Sequence, residues 1–148
     1  MWKKLGLGAL AVAGAGALGH VLGSTPDAPE GGPLAPCPSV PNCARARVAL
    51  DATPAATLDA AFVALAEVSG LTMGALAERT RTATGARAVY RLGPFRDRLA
   101  VAVEPDGDGS VLWVRSAASV GRSDLGVNAR RARAVVRAVR ARLPAERL

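Results

Sequence analysis

The chain is 148 residues long and 50% apolar, with 19 Lys+Arg against 12 Asp+Glu and a formal net charge of +7. That length suits one domain and excludes a multi-domain enzyme, and the apolar content excludes a disordered chain. Lysine and histidine are confined to Lys3, Lys4 and His20, so the main body has no parts for a Ser-His-Asp or Cys-His nucleophile, a Schiff base, a P-loop or a His-based metal site. No catalytic set, cofactor or metal ion is expected.

Lys3 and Lys4 precede Leu5–Leu22, a stretch with no formal charge. Such a stretch reads as an export signal or a membrane-spanning segment, with the lysines left in the cytoplasm and the remainder sent across. Its glycine content favours cleavage and its length favours an anchor. Residues 1–23 are therefore a signal or membrane-anchor segment, with residues 5–22 in the membrane. The domain is expected in the cell envelope, anchored or secreted, on the non-cytoplasmic side. Gly14, Gly16 and Gly19 match a dinucleotide-binding glycine loop, but no strand precedes them; small residues in a membrane segment account for them. His20 is a tolerated residue near the segment's end.

Residues 24–36 (STPDAPEGGPLAP) have no hydrophobic period and read as an extended tether. Residues 37–148 form a single domain whose folded body ends near Leu143. Thr53-Pro54 starts a helix, since threonine caps and proline suits the first helical position; Leu58, Ala61, Phe62, Leu65 and Val68 give its apolar face, and Gly70 ends it. Arg79–Ala83 and Ala86–Leu92 are strand candidates, and Arg98–Glu104 alternates cleanly. Pro105–Gly109 is turn chemistry leading to a return strand over Ser110–Ala117. A calcium loop is excluded there, because Val111 and Ala117 stand where glycine and glutamate are needed. The last helix carries Leu125, Ala129, Ala132, Val136, Val139 and Leu143 as one buried stripe. The expected fold is α+β: an antiparallel sheet of about four strands with two helices packed on one face.

Two stretches stand out: Cys37-Pro38-Ser39-Val40-Pro41-Asn42-Cys43, and the segment from Arg115-Ser116 through Gly121-Arg122-Ser123-Asp124-Leu125-Gly126-Val127-Asn128. In this order and separation they resemble the domain of unknown function 1499 family, known in bacteria and plastids, over about Cys37 to Leu143. The resemblance implies a fold and no established activity. The chain departs from the family's pattern at Ala118-Ser119, where Ser-Arg is usual, and at Arg122, where an aromatic is usual. It also has Arg96-Asp97 in place of an acidic pair, and Ala44-Arg45 in place of serines. A family site using that arginine and acidic pair would be altered here, with Arg122 a candidate replacement for the missing arginine.

An even cysteine count in an exported chain argues for a Cys37–Cys43 disulfide; two more soft ligands for zinc do not exist. The Arg115–Asn128 segment has two readings. In one it is a strand-to-helix corner, with Ser123 or Asp124 capping the helix and Arg115 paired with Asp97 or Asp124. In the other, helix N–H groups with Arg115, Ser116, Ser119, Arg122, Ser123, Asp124 and Asn128 form a pocket for a small anion or partner. An unconventional enzyme would have to use Asp97 or Asp124 as its base.

Arg130, Arg133, Arg137 and Arg140 line one face of the last helix, flanked by Arg131 and Arg142. The stripe is a solvated face by default, and its like charges favour an anionic partner such as anionic lipid or an acidic envelope component. Nucleic acid is not expected, because the leader exports the domain and Phe62, Tyr90, Phe95 and Trp113 are mostly placed as core.

Overall fold

A computed structural model describes residues 30–38, 42–70, 73–121 and 125–144. The leader expected over 1–23 lies outside the described residues, and among those described no helix is long and apolar enough to cross a membrane. The fold is α+β, in the order β1 (Cys43–Leu50), α1 (Pro54–Glu67), β2 (Ala75–Arg81), β3 (Gly85–Leu92), β4 (Phe95–Asp106), β5 (Gly109–Ala118) and α2 (Val127–Arg142). All strand pairs are antiparallel, in the order β1-β5-β4-β3-β2.

The sheet has five strands, not about four. The additional one, β1, reads CARARVAL, and its alternation puts Ala44, Ala46, Val48 and Leu50 on the face that carries the core. α1 starts as its sequence dictates: Pro54 occupies the first turn and Thr53 Oγ1 accepts from Ala56 N at 3.2 Å. Leu58, Ala61 and Leu65 then point onto β3–β5, while α2 lies over β1 and β5 and touches α1. Leu99, Val101 and Val103 of β4, Leu112 and Val114 of β5, and Val135, Val136 and Val139 of α2 complete the core between the two layers. Buried polar groups there are paired: Tyr90 Oη donates to Leu65 O at 2.5 Å, and the Thr57 and Ser110 hydroxyls are 2.7 Å apart.

The strand register sends Arg45, Arg47, Arg87, Arg91, Arg96, Arg98 and Arg115 to the face that no helix covers, against Glu78, Glu104 and, near the hairpin tip, Asp106. Residues 30–38 run over part of this face, which corrects the tether expected through Pro36. Arg45 Nη2 donates to Gly31 O and Leu34 O (2.5 and 3.2 Å), and Arg115 Nη2 to Pro36 O (3.3 Å). Gly32 lies flat on Trp113: at φ +74°, a Cβ there would sit 2.6 Å from the indole. Arg45 and Arg47 flank the same ring at 5.6 and 5.5 Å from its centroid, and Trp113 Nε1 donates to Glu104 at 3.0 Å. The backbone carbonyls of a proline-rich segment, which have no ladder partners of their own, thus become acceptors for arginines that the sheet leaves uncovered. The Cys37–Cys43 disulfide forms as expected, with Cα atoms 5.6 Å apart, and ties this strap to the first residue of β1.

Candidate functional site

The Arg115–Asn128 segment begins within β5, whose pleat sends consecutive side chains to opposite faces. Ser116 turns under the helices while Arg115 turns onto the open face. This corrects the expected pairing of Arg115 with Asp97, and the other expected partner, Asp124, lies outside the described residues: Asp97 is on the helix side and is held by Arg131 instead, with Nη1 3.0 Å from Oδ2. The same Nη1 reaches Asn128 Oδ1 at 2.8 Å and Ser116 Oγ at 3.1 Å, and Nε and Nη2 donate to Met73 O at 3.0 and 2.5 Å. The guanidinium lies 4.7 Å from the centre of the Tyr90 ring. Ser116 Oγ donates to Asn128 Oδ1 at 2.6 Å, and Asn128 Nδ2 to Asn42 O at 3.3 Å. Arg131, Ser116 and Asn128 have no exposed surface, and Asp97 is 4% exposed. A charge pair removed from water is tolerable only when its remaining donors and acceptors are satisfied, as they are here. Burial also raises the Tyr90 phenol above its ordinary range, a shift that the nearby Arg131 charge partly opposes.

Sequence position alone puts Arg131 on the flank of the basic stripe. The structure corrects this: Arg131 belongs to the inner face of α2, one turn after Asn128 and one before Val135. Arg130, Arg137 and Arg140 are exposed and Arg133 half-buried along the outer face. Arg142, beside them, pairs with Glu67.

The end of the sheet carries a cleft of about 400 Å³ between the β3–β4 turn and the β5–α2 connection. Its walls include Leu92, Phe95, Ala118, Ser119, Val120, Gly121, Leu125 and Val127, with Arg130 at the rim and Asp97 at the inner end. Ser119 is anchored there, its hydroxyl donating to Arg96 O. Phe95 is 51% exposed, Val120 60% and Leu125 86%. The apolar pattern has Leu125 open the buried stripe of the last helix and Phe95 join the core. Both expectations are corrected, and for Leu125 the cause is the backbone. Leu125 and Gly126 have φ of +53° and +80°, so the chain makes a left-handed turn into α2, Gly126 takes the cap position, and the leucine is thrown outward. A bulky side chain in this conformation is strained, which is a feature of sites that over-determine their backbone. The expected capping residues Ser123 and Asp124, together with Arg122, lie outside the described residues.

Of the sequence-predicted site, Ser116 and Asn128 are therefore internal struts, Ser119 lines the cleft, and Arg115 belongs to the opposite face. Asp97, the candidate base, is an ion-pair partner. Arg131, Phe95 and Val120 are site residues that the sequence pattern does not single out. Among the described residues no group of three or more His, Cys, Asp or Glu is placed to hold a metal ion.

Two solved structures show a distant similarity to the chain. TTHA0849 from Thermus thermophilus is 11% identical, with 68% of this chain and 95% of that one covered at a TM-score of 0.41. CalU16 from Micromonospora echinospora is 12% identical, with 68% and 82% covered at a TM-score of 0.31. No curated protein matches the sequence. The model of the family described as "Protein of unknown function (DUF1499)" matches residues 33–139, which take in most of the strap, the sheet and most of α2, and the chain belongs to that family.

Proposed function

We propose that the chain is an exported, non-enzymatic envelope domain that binds a small amphipathic anion in the cleft at the end of its sheet. The observation that carries this reading is the gathering of Phe95, Val120 and Leu125, three of the exposed large hydrophobic residues, around one cavity with a cation at its rim. Isolated exposed apolar residues are ordinary, but a contiguous apolar cleft beside a few polar groups is the usual form of a small-molecule site. Arg130 supplies the charge preference; its Nη1 donates to Leu125 O at 3.1 Å, which holds the guanidinium at the cleft mouth.

Export is supported by Lys3 and Lys4 before an uncharged segment and by the disulfide, which persists in oxidising compartments. Residues 5–22 would anchor the domain or be removed after targeting. The arginine stripe of α2 then faces an envelope rich in anionic lipid or acidic polymer. The alternative of an enzyme using Asp97 or Asp124 loses support at Asp97, whose carboxylate is engaged by Arg131. The test is a calorimetric titration of the full chain with decanoate. Burying methylenes at about 0.8 kcal/mol each, less the cost of immobilisation, leads to micromolar-to-millimolar affinity. Val120→Asp, which places a like charge in the wall, should abolish the binding; equal binding by this variant would remove the cleft from consideration.

A further inference from the structure

The opposite face of the sheet carries a second concavity, a groove of about 530 Å³ bounded on one side by the strap at Pro33–Ala35. Arg115, Arg98 and Arg87 line it, with Ala100 in its floor and Glu78 in its far wall. The register explains the hollow. Arg115 and Arg87 flank Ala100 across three adjacent strands, and Arg98 precedes Ala100 by one pleat on β4. Strands stand about 4.8 Å apart, so two long cations rise roughly 10 Å from each other over a single methyl group.

Among the described residues none of these arginines has a carboxylate partner: the ion pairs there are Arg81–Asp59, Arg131–Asp97 and Arg142–Glu67. Arg87 and Arg98 are exposed. Arg115 is half-buried; it spends Nη2 on the strap carbonyl of Pro36 and keeps a buried Nε with no acceptor among the described residues. A buried donor left without a partner is costly, and the groove beside it already gathers positive charge. Arg45, one strand over, has its pKa lowered chiefly by burial and further by the charge of Arg115, with Glu30 opposing.

We propose that this groove binds a phosphate-type polyanion, with the guanidinium groups of Arg87, Arg98 and Arg115 converging on its oxygens above Ala100. Each planar fork offers paired N–H donors, and three of them together need the several acceptor oxygens that phosphate groups have and a single carboxylate lacks. Glu78, the acid on the far wall, favours a ligand whose charge is concentrated at the strap side. The site is separated from the apolar cleft by the full thickness of the sheet and does not depend on that cleft's ligand.

The chemistry could be presented by a free phosphate compound or by a lipid headgroup, and the experiment separates them. The full-length oxidised chain is titrated calorimetrically with inorganic pyrophosphate at constant ionic strength, and in parallel its co-sedimentation with phosphatidate vesicles is compared with phosphatidylcholine vesicles. The wild type is set against Arg87→Gln/Arg98→Gln, and against Arg91→Gln, an exposed arginine of the same face outside the groove. The leader contributes equally to vesicle association in all three proteins. The expected result is saturable pyrophosphate binding, a preference for phosphatidate, or both, weakened about tenfold in the double variant and unchanged in Arg91→Gln. Pyrophosphate alone would identify a free ligand, and phosphatidate alone a headgroup. Loss of the response to the same degree in Arg91→Gln, an equal response to sulfate, or no response in either arm would overturn the site. An unchanged thermal midpoint of the double variant checks that it is folded.

Discussion

Arg131 and Asp97, separated by 34 positions in sequence, meet beneath the sheet with Nη1 3.0 Å from Oδ2 and almost no solvent access to either side chain. The pair clamps α2 to β4, and Arg131 extends the clamp to Met73 ahead of β2 and to Ser116 of β5. Removing one partner strands the other charge in the interior, which typically costs about 3–5 kcal/mol. Asp97→Asn and Arg131→Gln should each lower the urea midpoint strongly, and Asp97→Leu/Arg131→Leu should cost less than the sum of the single changes. A midpoint unmoved by Asp97→Asn would mean that the carboxylate serves something other than the fold.

Alkaline stability isolates one group. Beyond residue 23 the chain has no lysine, both cysteines are oxidised to each other, and Tyr90 is the single tyrosine. Its phenol is raised in the folded state from a reference of 10.0, chiefly by burial. The unfolded chain therefore loses this proton first. The contribution of Tyr90 is fully present below pH 10 and declines above it, by at most about 1.4 kcal/mol per pH unit. Denaturation followed from about pH 9 to pH 11 should show this decline in the wild type and a flat profile in Tyr90→Phe, which starts lower because the Leu65 carbonyl loses its donor. Equal slopes in the two proteins would contradict the assignment.

The strap and the disulfide should act as one unit. Closing the short Cys37–Cys43 loop contributes about 2–2.5 kcal/mol by chain entropy, and Cys37→Ser/Cys43→Ser should lose that amount while exposing residues 30–36 to protease. Gly32→Val should release the same strap with the disulfide intact, because its Cβ collides with Trp113 and its φ of +74° disfavours a branched residue. Protease resistance of the strap in both variants would show that it is held by other contacts.

Much of the fold is legible in the sequence because its signals are local. Thr53-Pro54 announces α1, the alternation of Leu99, Val101 and Val103 announces β4, and the Ala132, Val136 and Val139 spacing fixes the buried side of α2. β1 carries an equally clean alternation, but its first residue is also a motif cysteine and its outward positions are arginines, which masks the strand. The site is less legible because its contacts are distant. Nothing near Arg131 in sequence distinguishes it from Arg130, and only the pairing of β4 with β5 brings Asp97 beneath α2. The exposure of Leu125 follows from a left-handed backbone that an apolar stripe cannot signal. Strap packing likewise depends on Trp113 and Arg115, far along the chain.

The most direct measurement of the cleft proposal is an exchange of ligand charge. Decanoate and decyltrimethylammonium share an alkyl chain and differ in head group, so their affinity ratio reads the charge at the cleft mouth while the apolar contribution largely cancels. The wild type should prefer decanoate, and Arg130→Glu, an exposed position whose change spares the core, should invert the preference by about tenfold or more in the ratio. A ratio that is the same in both proteins would contradict the assignment of Arg130 and its cleft as the binding site.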